Sequence, residues 1–440
     1  MKRGKKLRKK IAFFGHFGMG NFGNESTLQA IIYHLRRFAP DAQLSCIATG
    51  PQDAAAIHHI EATPISETFF KSREFRNPLA RLIRKLTVGI TSEVYRWAKG
   101  IATLWHADML IVPGTGLLTD VYGLLNWGPY NLFRWSLTAK LCRCKLLFVS
   151  VGAGPIYGSF AKWLVKSSLS LADFRSYRDS PSAQYLENIG FRMISDRVYP
   201  DLAFSLPDHA ISPQLPRNRC KPVIGLGLMP YAGRYSAANP RNETYVAYLE
   251  NLAKVVKWLV ARQYGVSLLI GNSLDTPVTQ EFRSLLQKHL SDVTKGHIAD
   301  EPQFCGEDLL LQLAATDLVV ATRYHNVIMA LLNNKPVIAI SHHPKCDSLM
   351  RAMGLSEYCL DIHTLSADNV ITKIRHLEKN ASALKSSIKK KNEEFRKALD
   401  EQYALIFGNI LLGTPNQEMD EAVLHFLPTE CSAVSQNPPS

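Results

Sequence analysis

Arg323, Tyr324 and His325 are the residues of this 440-residue chain whose types and placement best suit chemistry. A short apolar run at residues 318–321 precedes them, and residues 327–331 place apolar side chains at helical spacing. The pattern predicts a strand, a turn and a helix, with the three residues at the carboxyl end of the strand, where ligands bind in open α/β sheets. A cation and a titratable imidazole facing the positive end of a helix suit a phosphate or a carboxylate. The same residues are equally compatible with a structural ion pair at Arg323 and a satisfied polar side chain at His325.

Glycine-rich turns follow three further predicted strands, at residues 11–15, 108–112 and 146–151. Such turns would place backbone amides along one edge of a parallel sheet. The first turn lacks the Gly-Lys-Ser/Thr of a P-loop and the glycine spacing of a dinucleotide-binding fingerprint. It is therefore predicted to surround a ligand, with a plain tight turn as the alternative. The candidate substrate-binding residues in the first two turns are Gly23, Asn24, Gly114, Gly116 and Asp120.

Two more basic residues follow predicted strands. Arg178 is a second candidate anion clamp, although an ion pair with Asp179 or Asp201 would explain its position equally well. Lys345 closes a polar stretch, residues 342–345, after the last clear strand. The predicted substrate-binding side chains outside the glycine turns are Arg178, Tyr324, Asn326 and Lys345.

Two successive alternations of strands and helices indicate two α/β domains. The length of the chain also favours two domains, because a single core rarely serves so many residues. Residues 211–221 are rich in Pro, Arg and Asn, have no periodicity, and are the best candidate for a linker. The predicted domains are residues 1–210 and 221–412, followed by a disordered tail at 413–440.

The charge of the chain, 51 Lys and Arg against 38 Asp and Glu for a net +13, predicts a preference for anions. Nucleic acid is not an expected partner, because no zinc-finger, RNP or helix-turn-helix pattern directs the scattered basic residues to a groove. Eight cysteines without metal-ligand spacing predict free thiols in a reducing compartment and no metal site.

Neither a membrane span nor a signal peptide is predicted, because the apolar run after the basic residues 2–10 is too short and no run of about 20 apolar residues follows. We therefore expect a cytoplasmic protein. Its basic N-terminus is predicted to make weak peripheral contact with the anionic inner membrane face, with simple solvation of the terminus as the alternative. The sequence leaves the oligomeric state open.

The set of motifs, taken in order, resembles the polysaccharide pyruvyl transferases over roughly residues 11–360. The segments that carry the resemblance are Gly20-Asn-Phe-Gly-Asn-Glu-Ser-Thr-Leu28, Pro113-Gly-Thr-Gly-Leu-Leu-Thr-Asp120, Gly152-Ala-Gly-Pro155, Arg178-Asp179, Pro200-Asp201 and Thr322-Arg-Tyr-His325, with Ala330, Pro336 and Lys345 after them. The resemblance implies two Rossmann-like domains in a GT-B-like arrangement with a cleft between them, the acceptor on the N-terminal side and the donor on the C-terminal side. It also implies transfer of the pyruvyl group of phosphoenolpyruvate onto two sugar hydroxyls as a ketal, with no cofactor besides this donor.

The chemistry implied by the resemblance assigns roles to three residues. His325 would protonate the enol carbon as a general acid, Arg323 would bind the anionic donor, and Glu25 would act as a base toward a sugar hydroxyl. The chain departs from the family pattern at Asn24, where an aspartate is usual, at Thr115 within a run that is commonly all glycine, and at Tyr324, where a leucine is usual. The change at Asn24 removes any carboxylate role at that position.

Two other functions fit the same residues. A GT-B-type nucleotide-sugar glycosyltransferase would keep the arginine and histidine for a diphosphate, because a fold alone does not fix a function. A catalytically silent sugar- or lipid-binding subunit of a polysaccharide assembly complex is the alternative outside the enzymes. The sequence does not identify the sugar, the hydroxyls that would carry the ketal, or whether the acceptor is lipid-linked.

Overall fold

The structure is a computed structural model that describes residues 8–67, 78–121, 128–208, 210–211, 222–231, 243–289, 298–299 and 306–412. The predicted linker beyond residue 211, the predicted disordered tail and most of the basic N-terminus lie outside the described residues. The domain boundaries and the membrane contact therefore stay predictions. No helix in the described ranges is long and apolar enough to cross a membrane.

The N-terminal half contains a seven-stranded parallel sheet in the order β3-β2-β1-β4-β5-β6-β7. The central strands are apolar on both faces and buried, as expected for a parallel sheet that is covered by helices on both sides. Its strands are β1 Lys10–Gly15, β2 Gln43–Ala48, β3 Glu61–Pro64, β4 Met109–Pro113, β5 Lys145–Val151, β6 Phe174–Tyr177 and β7 Arg197–Val198. Its helices are α1 Phe22–Phe38, α2 Pro51–His58, α3 Pro78–Leu104, α4 Pro129–Leu141, α5 Ser159–Ser170 and α6 Ser180–Asn188.

The C-terminal half contains a six-stranded parallel sheet in the order β10-β9-β8-β11-β12-β13. Its strands are β8 Val223–Gly227, β9 Gly265–Leu269, β10 Ile298–Ala299, β11 Leu318–Ala321, β12 Val337–Ser341 and β13 Cys359–Asp361. Its helices are α7 Glu243–Ala261, α8 Thr276–His289, α9 Gly306–Ala314, α10 Tyr324–Leu332, α11 Pro344–Ala352, α12 Ala367–Lys379 and α13 Ala381–Tyr403. The prediction of two Rossmann-like domains is confirmed.

Both sheets reverse their strand order once, between β1 and β4 in the first and between β8 and β11 in the second. Ligands bind in open α/β sheets at the carboxyl ends of strands beside such a reversal. The first glycine turn follows β1, the second follows β4, and the Arg323 turn follows β11. The topology therefore places all three loops at the two positions where a binding crevice is expected.

The long helix α13 joins the two halves. Asn392 donates a hydrogen bond to the backbone oxygen of Leu331 in the C-terminal half at 2.7 Å. Ten residues later, the buried Gln402 accepts a hydrogen bond from Ser176 Oγ at 2.6 Å and donates one to Ser150 Oγ at 3.1 Å, both in the N-terminal sheet. Buried polar groups of this kind are costly to separate, so α13 fixes the two halves against each other.

Candidate active site

The two halves of the protein meet at Gly23 in α1 and His325 in α10. A Cβ atom placed on Gly23 would lie 1.9 Å from Cγ of His325, so only a glycine allows the imidazole to sit there. Close by, the backbone N–H of Ser273 donates to the oxygen of Gly20 at 2.9 Å. The first glycine turn of the N-terminal half thus packs directly on the loops that follow β9 and β11.

Arg178 extends from the N-terminal half to the same place. Its guanidinium carbon lies 4.9 Å from the centre of the Tyr324 ring, and its Nε donates to Asp179 at 3.3 Å. Nη1 is 3.6 Å from Oδ2 of Asp201. The structural ion pair that the sequence left open is therefore present, and it holds Arg178 against the aromatic ring beside His325.

Lys345 completes the group of cations around Tyr324. Its Nζ lies 5.4 Å from the ring centre, and among the described residues it forms no ion pair. Burial, followed by the charge of Arg178, lowers the pKa of Lys345 to about 8. Nearby carboxylates offset the charge of this lysine only in part, so an anionic ligand would stabilise it.

The environment of His325 favours the neutral form of the imidazole. Burial lowers its pKa well below the ordinary value, and Arg178, Lys345 and Arg323 lower it further. This direction does not favour a general acid in the site without a ligand, and the role of His325 as an acid stays a prediction. The physical reason for the lowered pKa is first the burial of the ring and then the set of neighbouring cations, neither of which the linear sequence records.

Arg323 is held by Asp275, which follows β9 and is fully buried. The guanidinium Nε lies 3.0 Å and 2.9 Å from the two carboxylate oxygens, and Nη2 also contacts Oδ1. About a quarter of the Arg323 side chain, 25%, stays exposed. The structural ion pair, which was the alternative to a ligand-binding role, is thus present at Arg323 as well. Its fork geometry fixes the direction of the guanidinium.

The structure gives Glu25 a contact that speaks against its predicted role as a base. Its Oε1 accepts the backbone N–H of Gly18 at 2.8 Å, and its Oε2 lies 2.8 Å from Nε2 of His58. Only 6% of the residue is exposed. Because both oxygens are engaged, Glu25 fixes the shape of the glycine turn, in which Gly18 has a φ of 72°.

Asn24 is explained by its hydrogen bond. Its Nδ2 donates to the backbone oxygen of His16 at 3.0 Å, also within the first turn. An ionised aspartate, the usual residue of the family, has no proton to donate to this oxygen. The departure at Asn24 therefore suits the local structure of this chain.

The second glycine turn is held from the neighbouring loop. Asp120 accepts the backbone N–H groups of Tyr157 at 2.9 Å and Gly158 at 2.8 Å. Gly114 is closely packed, since a Cβ atom there would lie 3.1 Å from the oxygen of Ser150, whereas one on Gly116 would meet nothing within 4 Å. Asp120 is thus an anchor for its loop, and Gly116 lines open space.

Asn326 lies beneath the Arg323 turn and is fully buried. Neither polar atom of its side chain has a hydrogen-bond partner among the described residues. A Cβ atom on Gly271 would lie 1.9 Å from its Oδ1, and one on Gly227 would lie 2.7 Å from its Nδ2. The predicted substrate-binding residue is therefore packed against two glycines at the carboxyl ends of β8 and β9.

Two functional candidates were not singled out from the sequence, Asp201 and Asp275. The sequence pointed to Asp201 as a possible partner for Arg178 and as part of the Pro200-Asp201 segment, and it pointed to no role for Asp275. Both follow strands, β7 and β9, and a position after a strand is the signal that selected Arg178 and Arg323. No group of three or more His, Cys, Asp or Glu in the described part of the chain is arranged to hold a metal ion.

The close contact between Gly23 and His325 leads to a prediction about the free energy of unfolding. Gly23→Ala should destabilise the protein by about 1–3 kcal/mol, because the new methyl group overlaps the imidazole. Gly89→Ala is the matched control, since Gly89 is exposed on α3 and a Cβ atom there meets nothing within 4 Å. Urea denaturation of both variants measures the difference.

A double variant tests the cause of that loss. If the overlap with the ring is responsible, His325→Ala should recover most of the stability that Gly23→Ala removes. Additive losses in the double variant, or equal behaviour of the Gly23 and Gly89 variants, would contradict this packing.

Comparison with known proteins agrees with the fold. The structure is similar to a UDP-GlcNAc 2-epimerase from Neisseria meningitidis bound to UDP-GlcNAc, with a TM-score of 0.55 and 12% identity over 92% of this chain and 100% of that one. It is also similar to Anabaena HepE in complex with UDP and glucose, with a TM-score of 0.57 and 14% identity over 90% of this chain and 100% of that one. At such low identity these likenesses speak for the fold alone, and they confirm the GT-B-like arrangement of the two domains.

Sequence comparison identifies the family. The chain is 21% identical over 422 residues to the amylovoran biosynthesis protein AmsJ of Erwinia amylovora, an alignment that covers 88% of this chain and 96% of AmsJ. Residues 21–344 match the family described as polysaccharide pyruvyl transferase. This range begins just before Gly23 and extends past the Arg323 turn to the start of α11. The chain therefore belongs to the polysaccharide pyruvyl transferase family.

Proposed function

We propose that this protein transfers the pyruvyl group of phosphoenolpyruvate onto two hydroxyls of a sugar, as a ketal, in polysaccharide biosynthesis. The observation that carries the proposal is the convergence of Arg178, Arg323 and Lys345 around the ring of His325 at the junction of the domains. Membership of the family and the similarity to AmsJ support it. No cofactor besides the donor enters the proposed reaction.

The donor carries a carboxylate and a phosphate, and the site offers a cation for each. Arg323 is held in a fixed direction by Asp275 and keeps an exposed edge, which suits recognition of a flat or tetrahedral anion. Lys345 is the cation whose charge is least balanced by neighbouring carboxylates. Arg178 is nearly buried and already contacts two aspartates, so it stabilises negative charge from behind the Tyr324 ring.

The reaction balances with one protonated imidazole. His325 donates its proton to the methylene carbon of the donor, which becomes a methyl group, and the adjacent carbon becomes electrophilic. The first sugar hydroxyl adds to that carbon and returns its proton to His325. The second hydroxyl displaces phosphate, which leaves with the remaining proton. Two carbon–oxygen bonds to the sugar form, and the carbon–oxygen bond to phosphate breaks.

Binding of the donor would supply the protonation that the free site lacks. The cations that lower the pKa of His325 are the groups that the donor would neutralise. The imidazolium would therefore form when the donor is present, so its proton would not be lost to water before the donor binds. The acceptor would approach from the N-terminal domain, where the loop around Gly116 lines open space.

The alternative donor class is a nucleotide sugar. Anabaena HepE is known in complex with UDP and glucose, and a diphosphate would also be attracted to the three cations of this site. The protein is therefore to be incubated with labelled phosphoenolpyruvate, UDP-glucose or UDP-N-acetylglucosamine and a panel of p-nitrophenyl hexosides. We expect phosphate to be released from phosphoenolpyruvate only when an acceptor is present.

Calorimetry with each donor alone measures donor binding directly. It therefore gives a result even if the panel lacks the natural acceptor. Binding of phosphoenolpyruvate without binding of the UDP-sugars agrees with the proposal. Consumption or binding of a UDP-sugar, with none of phosphoenolpyruvate, would support the glycosyltransferase instead. Absence of binding for every donor would favour the catalytically silent subunit.

A second prediction follows from the low pKa of His325. Binding of phosphoenolpyruvate near neutral pH should take up protons, because the anion raises the pKa of His325 from far below its ordinary value. The affinity for the donor should accordingly rise as the pH falls. Calorimetric titrations in buffers of different ionisation enthalpy measure the number of protons taken up.

Two variants provide the controls. His325→Gln should lose most of the proton uptake and lower turnover by about 10²-fold or more, with donor binding largely kept. His106→Gln, at an exposed position, should behave as the unmodified protein. Undiminished proton uptake or near-normal turnover in the His325 variant would show that another group supplies the proton.

A further inference from the structure

Asp201 is a buried carboxylate that the proposed reaction leaves without a role. It precedes a turn of 3-10 helix at Leu202–Ser205, and its Oδ1 accepts the backbone N–H of Ala203 at 3.1 Å. Its side chain has no exposed surface. The other oxygen, Oδ2, has no hydrogen-bond partner among the described residues. A buried carboxylate oxygen without a partner is costly, so its retention calls for an explanation.

The unpartnered oxygen faces an unpartnered nitrogen. Nε2 of His325 is also buried and also lacks a hydrogen-bond partner in the described part of the chain. The two atoms lie 3.9 Å apart, across the junction between the domains. A hydrogen bond would need them to approach by about 1 Å. Apart from this contact, none of the described carboxylates lies within ion-pair distance of His325.

The charged groups around this pair come from three segments of the chain. Arg178 and Asp179 follow β6, and Arg178 lies 3.6 Å from Oδ2. Lys345 comes from α11, and Arg323 precedes α10. Two tyrosines, Tyr324 and Tyr403, also lie near Asp201. Burial raises the pKa of each hydroxyl, and the charge of Asp201 raises it further. His325 is thus surrounded by three cations, and Asp201 is the described carboxylate within ion-pair distance of its ring.

We propose that Asp201 is a positioning residue for His325: its Oδ2 accepts a hydrogen bond from Nε2–H and directs the other ring nitrogen, Nδ1, toward the substrate. The proposal rests on the proposed function. In the donor complex the imidazolium would give the Nδ1 proton to the methylene carbon of phosphoenolpyruvate, and the electron pair of the carbon–carbon double bond would form the new C–H bond. The ring is then left neutral with its proton on Nε2, which is the form that Asp201 stabilises.

The charge of Asp201 would also set the fraction of His325 that is protonated. A carboxylate within about 4–6 Å of an imidazole favours the charged ring and raises its pKa by about 1 unit or more. Removing that charge takes away the carboxylate beside the ring while the three cations stay, and so lowers the pKa of His325. A general acid acts in its protonated form, so the falling limb of kcat against pH should move to lower pH in a variant that lacks the carboxylate.

The test begins with the protein without substrate. Nitrogen-15 NMR of labelled protein, with the His325 signal assigned by its loss in His325→Gln, reports which ring nitrogen carries the proton. We expect the Nε2–H form in the unmodified protein. A neutral ring protonated on Nδ1 would overturn the proposal, and this measurement needs neither turnover nor a variant at Asp201.

Asp201→Asn is the variant that separates charge from shape, because an amide oxygen can still accept the N–H of Ala203. We expect the pKa of His325 to fall and the falling limb of kcat to shift by about 1 pH unit or more, with a loss of about 10-fold to 10²-fold at neutral pH. Asp361→Asn is the matched control, since Asp361 also precedes a turn of 3-10 helix and accepts the N–H two residues on, that of His363, at 2.8 Å. The control should leave the pKa of His325 and the pH profile unchanged.

The outcomes distinguish this inference from the proposed function. An unchanged His325 pKa in Asp201→Asn would overturn the role of Asp201. The role would also be overturned if Asp201→Asn lowered kcat by the same factor in a His325→Gln background as in the unmodified protein. A lowered pKa without any consumption of phosphoenolpyruvate would instead refute the proposed function and leave the contact between Asp201 and His325 supported.

Discussion

A buried arginine of one domain lying on an aromatic ring of the other is the interaction upon which the rest of the site depends. Arg178 approaches the Tyr324 ring to 4.9 Å and must keep carboxylates close, because a desolvated guanidinium without a counter-charge is costly. It uses Asp179 and lies near Asp201, while Asp275 is occupied by Arg323. Lys345 is left with the ring as its neighbour. Burial and the excess of positive charge at this junction together lower the pKa of His325, and the same excess of charge would attract an anionic donor.

The same junction couples the shape of the N-terminal domain to the chemistry of the C-terminal one. Glu25 holds the first glycine turn through the N–H of Gly18, and this turn leads into α1, where Gly23 admits the His325 ring. The family motif around Glu25 is therefore explained by packing as well as by chemistry. A residue can be essential to the position of a histidine although it never contacts the substrate.

The sequence predicted where the backbone would place the site but not how the charges would pair. Local periodicity correctly predicted the strands β1, β4, β5 and β11, the three glycine turns after β1, β4 and β5, and the positions of Arg178 and Arg323 after strands. Asp275 lies 48 positions before Arg323, and Asp201 belongs to the other domain, so their contacts depend on packing that no local pattern records. The engagement of Glu25 and Asp120 was missed for the same reason. The strands β3, β7, β10 and β13 were also missed, because each has only two to four residues.

The fate of isotopes tests the proposed pyruvyl transfer most directly. Phosphoenolpyruvate labelled with oxygen-18 at the bridging position is to be turned over in deuterated water with an acceptor hexoside. We expect the released phosphate to retain the label, because the carbon–oxygen bond breaks, and the methyl group of the ketal to carry one deuterium from His325. Release of unlabelled phosphate, or a product methyl group without solvent deuterium, would contradict protonation of the enol carbon and the transfer of the pyruvyl group.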